Sequence, residues 1–331
     1  MDINAWMREL FARPLYNLGD EGNAALNEIY SPGYSKELLA RYMTKYYGSI
    51  DGARSQAEKI DLTGYYHGLI SEALADANFK HADSSSLDIL EIGCGFGSAT
   101  FPLIQLMPHA RLVATELSMS MLIVLNEQLK AKGERHRCAL LQLNAEELDF
   151  KDGSFDLIVG AAILHHLLEP EIVIARCAKL LNPGGIAIFF EPFENGYKNL
   201  GTIYQAILND RRSWLLWPWN RRYFKNCIKT WKKMSNTNKS DPFFSYMDDK
   251  WLFTRDFFVD LAKKYKFSDV SINRLSKSDE PFFQFAEDHI KGNNVNNLPS
   301  WVWNLIHEQA HHISIDLKMD LLIEGCIIFK K

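Results

Sequence analysis

The sequence lacks the features that mark several large classes of protein. Its five cysteines are odd in number and scattered over 331 residues, with no paired spacing to suggest a disulfide framework or a zinc knuckle. No apolar run approaches membrane-spanning length, and the first residues carry acidic side chains where a signal peptide would be apolar. A formal net charge of −4 disfavours general nucleic-acid binding. We therefore expect a cytoplasmic protein with no metal site and no nucleic-acid partner.

What is present begins as a helical segment. Residues 1–84 show apolar spacing typical of amphipathic helices, interrupted at Ser31-Pro32-Gly33, and the polar segment 81–86 suggests a linker. The helices predicted here are 24–30, 38–47 and 60–74.

From Leu87 onward, short apolar runs alternate with helical patterns. This rhythm predicts an α/β fold with a Rossmann-like, doubly wound, mostly parallel sheet. The predicted strands are 88–92, 111–116, 139–143, 155–161 and 185–191, with helices over 100–106, 120–131 and 170–181. A helix over 255–265 and strands over 269–275 and 321–330 continue the pattern.

The alternation stops twice, which predicts insertions that form a lid on the core. We divide the chain into a helical N-terminal cap, a core, an aromatic and basic lid insertion, a core continuation, a second helical insertion and a final core strand. Their bounds are 1–84, 85–192, 193–250, 251–275, 276–319 and 320–331.

The sharpest motif follows the first core strand. Gly93, Gly95 and Gly97 stand at alternate positions before a helix, where glycines permit positive φ and let a ligand lie against bare backbone. Nineteen residues after Gly97, the second strand ends in Glu116, whose carboxylate can accept hydrogen bonds from both hydroxyls of a ribose. Together these features predict a nucleoside bound across two strand ends. The spacing is one residue shorter than the dinucleotide pattern G-x-G-x-x-G, which disfavours a nicotinamide-dependent oxidoreductase.

Five segments, in order, resemble the class I S-adenosylmethionine-dependent methyltransferases of the small-molecule branch. They read LEIGCGFG (90–97), ELSMSM (116–121), NAEELDF (144–150), GSFDLIV (153–159, running into LHHL at 164–167) and LLNPGG (180–185). The resemblance covers residues 87–192, with weaker support over 255–275 and 321–330.

This resemblance implies S-adenosylmethionine as the cofactor and assigns residues to it. Glu91 and the glycine backbone would face its methionine part and ribose, Glu116 would hold the ribose, and Leu117 and Met121 would sandwich the adenine. The predicted cofactor set is Glu91, Gly93, Gly95, Gly97, Glu116, Leu117, Met121, Asn144, Ala145 and Ala161. At 144 the family usually has an Asp that accepts from the adenine amino group. Asn144 offers an amide oxygen without the charge. Cys94, inside the motif, is interpreted as a packing residue.

The acceptor is less constrained, because methyl transfer from a sulfonium needs alignment and at most one base. DNA amino-methyltransferases resemble one another in an Asn/Asp-Pro-Pro-Tyr motif where this chain has Gly160-Ala161-Ala162-Ile163, which disfavours a nucleobase. The candidate bases are His165, after the fourth core strand, and Glu191, at the end of the fifth. For both residues a purely structural role is the favoured interpretation. We predict a small acceptor with an apolar body, with O-methylation slightly favoured over C-methylation.

The lid is unusual in composition. Seven of the eight tryptophans follow residue 200, and residues 211–233 hold eight basic residues and no acidic one. Tyr223, Phe224, Cys227, Ile228 and Trp231 recur there at helical spacing. Two interpretations stay open: the helix lies on a membrane surface, or it packs its apolar stripe over the acceptor. With the first, the enzyme would be a membrane-associated quinone or lipid C-methyltransferase. A non-catalytic, S-adenosylmethionine-binding regulatory protein is the alternative from another class.

Two smaller patterns remain. The segment His307-Glu308-Gln309-Ala310-His311, followed by His312, matches the zinc motif H-E-x-x-H, but it lies between strands of a sheet already explained. We interpret these histidines as surface residues or as lid groups that reach the acceptor. Tyr65, Tyr66 and His67 are expected to cover the methionine end of the cofactor.

Overall fold

The structure is a computed structural model that describes most of the chain. The described residues are 2–21, 26–34, 49–79, 87–236, 238–242, 244, 247–275, 278, 280–293, 295, 297–313 and 322–331. The predicted helix 38–47 and the linker 81–86 lie outside these residues.

Strands and helices alternate through the middle of the chain. Strands β1 to β9 are Tyr16–Asn17, Ile29–Ser31, Asp88–Ile92, Arg111–Glu116, Cys138–Gln142, Phe155–Ala161, Leu181–Pro192, Asp269–Arg274 and Glu324–Lys330. Helices α1 to α11 are Ile3–Leu10, Ile50–Lys59, Thr63–Asp76, Thr100–Leu106, Met119–Ala131, Pro170–Leu180, Glu194–Asn209, Pro218–Met234, Arg255–Lys264, Pro281–Gly292 and Ser300–His312.

The strands form one sheet in the order β1-β2-β5-β4-β3-β6-β7-β9-β8. The six strands from β2 to β7 run parallel to their neighbours, whereas β1 pairs antiparallel with β2 and β9 pairs antiparallel with both β7 and β8. The order reverses direction at β3, and this switch point brings the carboxyl ends of β3, β4 and β6 to one edge, where ligands of doubly wound sheets bind. The predicted fold class is confirmed.

Two apolar layers cover the faces of this sheet. Alternate residues of β3 divide between them: Leu90 and Ile92 pack with α1, α6 and α9, and Ile89 packs with α3, α4 and α5. Because both faces are buried, the central strands carry continuous apolar runs, and β5 is buried at every position. That continuity is why the core strands could be located from the sequence to within a few residues.

The N-terminal segment departs from the prediction. A helix was predicted over 24–30, but Ile29 and Tyr30 belong to β2 and pair with Leu140 and Leu141 of β5. The end of that predicted helix is therefore wrong. The reason is non-local pairing, since Ile29 is fully buried beside β5 and a three-residue strand carries almost no periodic signal.

The two insertions share one apolar core. Helices α7 and α8 from the first insertion pack with α10 and α11 from the second around Tyr204, Phe224, Phe282 and Ile306, all of which are buried. The lid is therefore a single helical cluster beside the carboxyl edge of the sheet. No helix among the described residues combines the length and the apolar character needed to cross a membrane.

The attachment of this cluster to the sheet gives a test of the fold. A Cβ atom on Gly196 would lie 2.5 Å from both the Ile323 Cα and the Leu322 carbonyl oxygen, and neither backbone atom can easily move. We expect Gly196→Ala to lower the free energy of unfolding by about 1–3 kcal/mol through overpacking.

Gly201→Ala, five residues later on α7, is the matched control. Its new Cβ would meet only the Trp231 ring at 3.9 Å, so we expect no loss, or a gain of about 0.5–1 kcal/mol from helix propensity. Denaturant unfolding of both variants decides the matter. Equal stabilities would contradict the close packing of α7 on residues 322 and 323.

Candidate active site

The glycine turn after β3 has the backbone that the motif requires. Gly93, Gly95 and Gly97 all have positive φ, at 71°, 52° and 94°. Any Cβ on Gly93 would strike the Ile163 side chain at 2.7 Å, and one on Gly97 would strike Leu125 at 2.7 Å. Gly95 has nothing within 4 Å of the corresponding position. Two of the glycines therefore permit close packing, and the third leaves an open face of backbone.

Glu116 joins that open face to the next strand. The Gly95 backbone N–H donates to its Oε2 at 3.1 Å, and the Ser118 N–H donates to its Oε1 at 2.9 Å. Burial raises the pKa of Glu116, against the lowering effect of these hydrogen bonds. A carboxylate has about four lone-pair sites, so two remain for other donors. This donor set fits a nucleoside, because bare backbone and a carboxylate with spare acceptor sites meet where two strands end.

Glu91 is held beneath the turn. Its side chain is buried and its Oε2 accepts a hydrogen bond from the Thr100 hydroxyl at 2.7 Å, which fastens β3 to the start of α4. Burial raises the pKa of Glu91 to about 8. This geometry gives Glu91 a supporting role for the turn, and its predicted contact with the cofactor stays a prediction.

The predicted adenine side lies beyond β4 and β5. Leu117 is partly exposed, whereas Met121 at the start of α5 and Ala145 are buried. The Asn144 side-chain oxygen accepts from the Glu146 N–H at 3.1 Å, and the Asn144 N–H donates to the Tyr34 hydroxyl at 3.0 Å. Asn144 therefore caps a local turn, which leaves its oxygen one further acceptor site.

Glu191, at the end of β7, organises the turn that follows β6. Its Oε1 accepts from the N–H groups of Ile163 and Leu164 at 3.0 and 2.7 Å. Its Oε2 accepts from the His165 N–H at 3.2 Å and lies 2.7 Å from His165 Nδ1. With four partners and a fully buried side chain, this carboxylate has little capacity left to act as a base.

His165 lies between two carboxylates. Its Nδ1 contacts Glu191, and its Nε2 lies 3.5 Å from the Asp249 Oδ1 atom. Burial alone would lower the pKa of His165, but the carboxylates outweigh that effect and raise the pKa to about 10. The ring is therefore protonated at neutral pH in this arrangement.

The segment around Asp249 is fastened to this histidine turn. The Lys250 N–H donates to the His165 carbonyl at 2.7 Å, and the buried Lys250 ammonium donates to the His166 and Met247 carbonyls at 2.6 and 2.8 Å. Burial lowers the pKa of Lys250. These bonds tie the end of the first insertion to the core, so Asp249 reaches the site from the lid.

A cavity of about 550 Å³ opens beside His165. It lies between the ends of β6 and β7 and the inner side of the lid. Ala162, which has an unusual positive φ of 54°, lines it next to the predicted cofactor residue Ala161. The glycine turn after β3 does not line the cavity. It is close to it, however, because Gly93 packs against Ile163, the residue that follows Ala162 in the loop after β6. Nucleoside position and cavity are thus neighbours along one edge of the sheet.

Sequence reasoning found part of the cavity wall and missed the rest. Tyr65 and Tyr66 line the cavity, whereas His67 does not. Asp249, His289 and Glu324 were not predicted, and they come from three separate stretches of the chain. No local motif marks them, so only the fold reveals their proximity.

The H-E-x-x-H pattern lies on α11, away from this cavity. His307 is 3.3 Å from Glu280, and His311 and His312 are exposed. In the described part of the chain, the one group of potential metal ligands within 4.8 Å of one another is His165, His166 and Asp249.

The comparisons with known proteins agree with this geometry. Residues 90–189 match the family described as a methyltransferase domain. A ubiquinone biosynthesis O-methyltransferase from Nitrosococcus oceani is 36% identical over 111 residues, covering 33% of this chain and 45% of that protein. A malonyl-[acyl-carrier protein] O-methyltransferase from Legionella pneumophila is 28% identical over 118 residues, covering 36% and 40%.

One similar solved structure is that of a putative sarcosine dimethylglycine methyltransferase from Galdieria sulphuraria. The match covers 80% of this chain and 84% of that one, at 15% sequence identity and a TM-score of 0.48, and the family assignment does not use it. The chain matches less than half the length of each of the two curated relatives above. The matched family domain runs from within β3 to within β7. Residues 90–189 are therefore a domain of the class I S-adenosylmethionine-dependent methyltransferase family.

Proposed function

We propose that this chain transfers the methyl group of S-adenosylmethionine to a small molecule bound in the cavity beside His165. The observation that carries the proposal is the hydrogen bond between Gly95 and Glu116, which joins an open backbone face to a carboxylate at the switch point of the sheet. When bound there, the cofactor supplies a methyl group already activated on a sulfonium. The protein's own task is then to align the acceptor and to manage its proton.

The proposed cofactor contacts are those that the family resemblance implies for each residue. Gly93, Gly95 and Gly97 present backbone, and Glu116 accepts the ribose hydroxyls. Leu117 and Met121 flank the adenine, and Asn144 accepts from its amino group. Glu91, Ala145 and Ala161 complete the set, the first as support for the turn and the last at the junction with the cavity.

His165 is the proposed proton acceptor, and Glu191 is its positioning residue. Glu191 holds the Nδ1 side of the ring, so that Nε2 faces the cavity and Asp249. The sequence-based preference for O-methylation depended on His165 and Glu191 both being available as bases. Since Glu191 is occupied and His165 is protonated at neutral pH, that support is weaker than the sequence suggested, and O-methylation stays a prediction.

The lid supports a second part of the proposal, which is contact with a membrane surface. The stripe predicted to meet the membrane or the acceptor faces inward: Phe224 and Trp231 of α8 are buried. The first turn of α8 and the residues before it instead expose Trp214, Trp217 and Trp219 by 73%, 56% and 60%.

The chemistry around these tryptophans suits an anionic bilayer. Trp217 and Trp219 stack at 4.8 Å, and basic residues of the 211–233 segment flank them. Exposed indoles beside arginine and lysine are typical of surfaces that settle at the headgroup level of membranes. The acceptor would then be a lipid-like or quinone-like molecule that enters the cavity under α8.

Glu116 gives the test of the cofactor site. We expect Glu116→Ala to weaken binding of S-adenosylmethionine and S-adenosylhomocysteine by about 1–3 kcal/mol, because a charge-assisted hydrogen-bond acceptor is lost. Calorimetric titration measures this, with NADH as the comparison ligand.

Asp152→Ala is the control for that experiment, since Asp152 precedes β6 at the opposite edge of the sheet. It should bind both ligands as the parent protein does. Unchanged affinity in Glu116→Ala would refute the ribose assignment, and binding of NADH alone would refute the proposed cofactor.

The pKa of His165 predicts how activity depends on pH. A histidine accepts a proton only when it is neutral, and a pKa near 10 means that the neutral fraction grows as the pH rises towards that value. We therefore expect methylation to increase from pH 7 to pH 10. Asp249→Asn removes one carboxylate that raises this pKa, so its profile should rise at lower pH.

Asp248→Asn is the matched control, because Asp248 lies near His166, 3.6 Å from its Nδ1. Its profile should follow that of the parent protein. A flat profile between pH 7 and pH 10, or the same profile in Asp249→Asn, would remove His165 from this role.

The membrane proposal predicts a loss of liposome binding. Replacing Trp214, Trp217 and Trp219 together by Ser should abolish sedimentation with anionic phospholipid vesicles. The reason is that the variant loses the indole area that would insert into the bilayer. Tyr16→Ser, at an aromatic residue 62% exposed on β1, should leave sedimentation unchanged. If the parent protein does not sediment with these vesicles, the membrane proposal is wrong.

A further inference from the structure

The cavity beside His165 has an unusual wall. Six aromatic side chains line it: Tyr65, Tyr66, Phe190, Tyr197, Tyr223 and Trp231. Three carboxylates also line it, those of Glu191, Asp249 and Glu324, while no lysine or arginine does so among the described residues. Aromatic faces and carboxylates both attract positive charge.

Two of the carboxylates already have partners. Glu191 is satisfied by the histidine turn, and Asp249 faces His165 at 3.5 Å. Against these three acidic groups, the lining residues that can carry a positive charge are the imidazoles of His165 and His289. Lys250 follows Asp249 in the sequence, but its ammonium group donates to the backbone carbonyls of His166 and Met247.

Glu324 is the carboxylate left over. It lies at the start of β9, beside Pro192 of β7, and none of the ion pairs found among the described residues includes it. The Glu324 side chain is exposed to solvent where it lines the open cavity. Partial desolvation by the surrounding wall raises the pKa of Glu324, His165 lowers it and Glu191 raises it. The charge of Glu324 adds to the effect of burial in raising the pKa of Tyr65, Tyr66 and Tyr197. All three tyrosines line the cavity together with Glu324.

We infer that the acceptor carries a cationic amino group, which Glu324 and Asp249 pair with and the tyrosine and tryptophan rings enclose. This inference rests on the proposed methyl transfer and names its substrate class. A neutral acceptor that filled the cavity would cover Glu324 without giving it a partner, and an unpaired buried carboxylate is costly. A cation satisfies the carboxylate and the rings together.

The reacting atom is then the acceptor nitrogen. In the fraction of molecules in which His165 is neutral, the ammonium group first gives a proton to that ring, which leaves a lone pair on the nitrogen. That lone pair forms the new nitrogen–carbon bond as the carbon–sulfur bond breaks, and the electron pair of the broken bond stays on sulfur. The products are S-adenosylhomocysteine and an N-methylated ammonium, and His165 returns its proton to water. The apolar body expected for the acceptor is compatible with this, since the rings can hold it.

The test uses two ligands of the same shape that differ in charge. Choline and 3,3-dimethylbutan-1-ol are matched in this way, and each is titrated into the full chain loaded with S-adenosylhomocysteine. We expect choline to bind about tenfold more tightly or better, because cation–π and ion-pair contacts would act together on it. In Glu324→Gln the preference should fall to within about threefold.

Glu308→Gln, on the exposed side of α11, is the matched control and should keep the full preference. Thermal unfolding of each variant shows whether the fold is retained. If Glu324→Gln unfolds, the parent protein alone decides, since equal binding of the two ligands overturns the inference.

The outcomes separate this inference from the proposed function. Binding of S-adenosylhomocysteine together with equal binding of choline and the alcohol leaves methyl transfer standing and removes the cationic acceptor. Failure of S-adenosylhomocysteine to bind removes the proposed function, and the same ligand pair then tests the charge preference of the cavity by itself. A screen with S-adenosylmethionine should methylate amines at nitrogen. A product methylated only at oxygen or carbon would overturn the inference.

Discussion

The carboxylate of Glu191 is the interaction on which the site depends. It stands at the end of β7 and accepts three backbone N–H groups from the turn after β6, together with the Nδ1 side of His165. Without it, the N–H groups of residues 163–165 would be buried and unpaired, which costs about 1–3 kcal/mol for each group. One side chain thus joins two strands and sets both the backbone and the imidazole. The His165 carbonyl in turn accepts from the Lys250 N–H, so the position of the lid also depends on this turn.

The lid separates two kinds of surface on one helix. α8 contributes Tyr223, Cys227 and Trp231 to the cavity. The same helix carries six of the eight basic residues of the 211–233 segment. A basic helix beside an acidic cavity places opposite charges on either side of a thin layer of rings. In the two proposals made above, the basic residues would meet an anionic surface and the acidic cavity would take a cation.

The sequence was sufficient for the parts that local signals determine. The strands β3, β4 and β6 begin and end where their apolar runs do, and the glycine turn with Glu116 follows from spacing alone. The prediction failed at Ile29, where pairing with β5 converts a short apolar stretch into a strand. The candidate base Glu191 could be located but its role could not, because its partners depend on how two strand ends meet. Glu324 and Asp249 were missed for the same reason, since they are brought to one cavity only by the antiparallel return of β9 and the attachment of the lid.

Charge movement links the cavity wall to the proposed chemistry. When a neutral amine takes a methyl group from a sulfonium, one positive charge is conserved and moves from sulfur to nitrogen. Carboxylates that line the acceptor cavity attract that charge more strongly after the transfer than before it, which lowers the energy of the transition state relative to the ground state. An oxyanion acceptor would also be relieved of repulsion on methylation, but Glu324 and Asp249 would oppose both its formation and its binding beside them. The carboxylates that would hold the ammonium therefore oppose its deprotonation but favour the methyl transfer that follows, in which positive charge returns to the nitrogen.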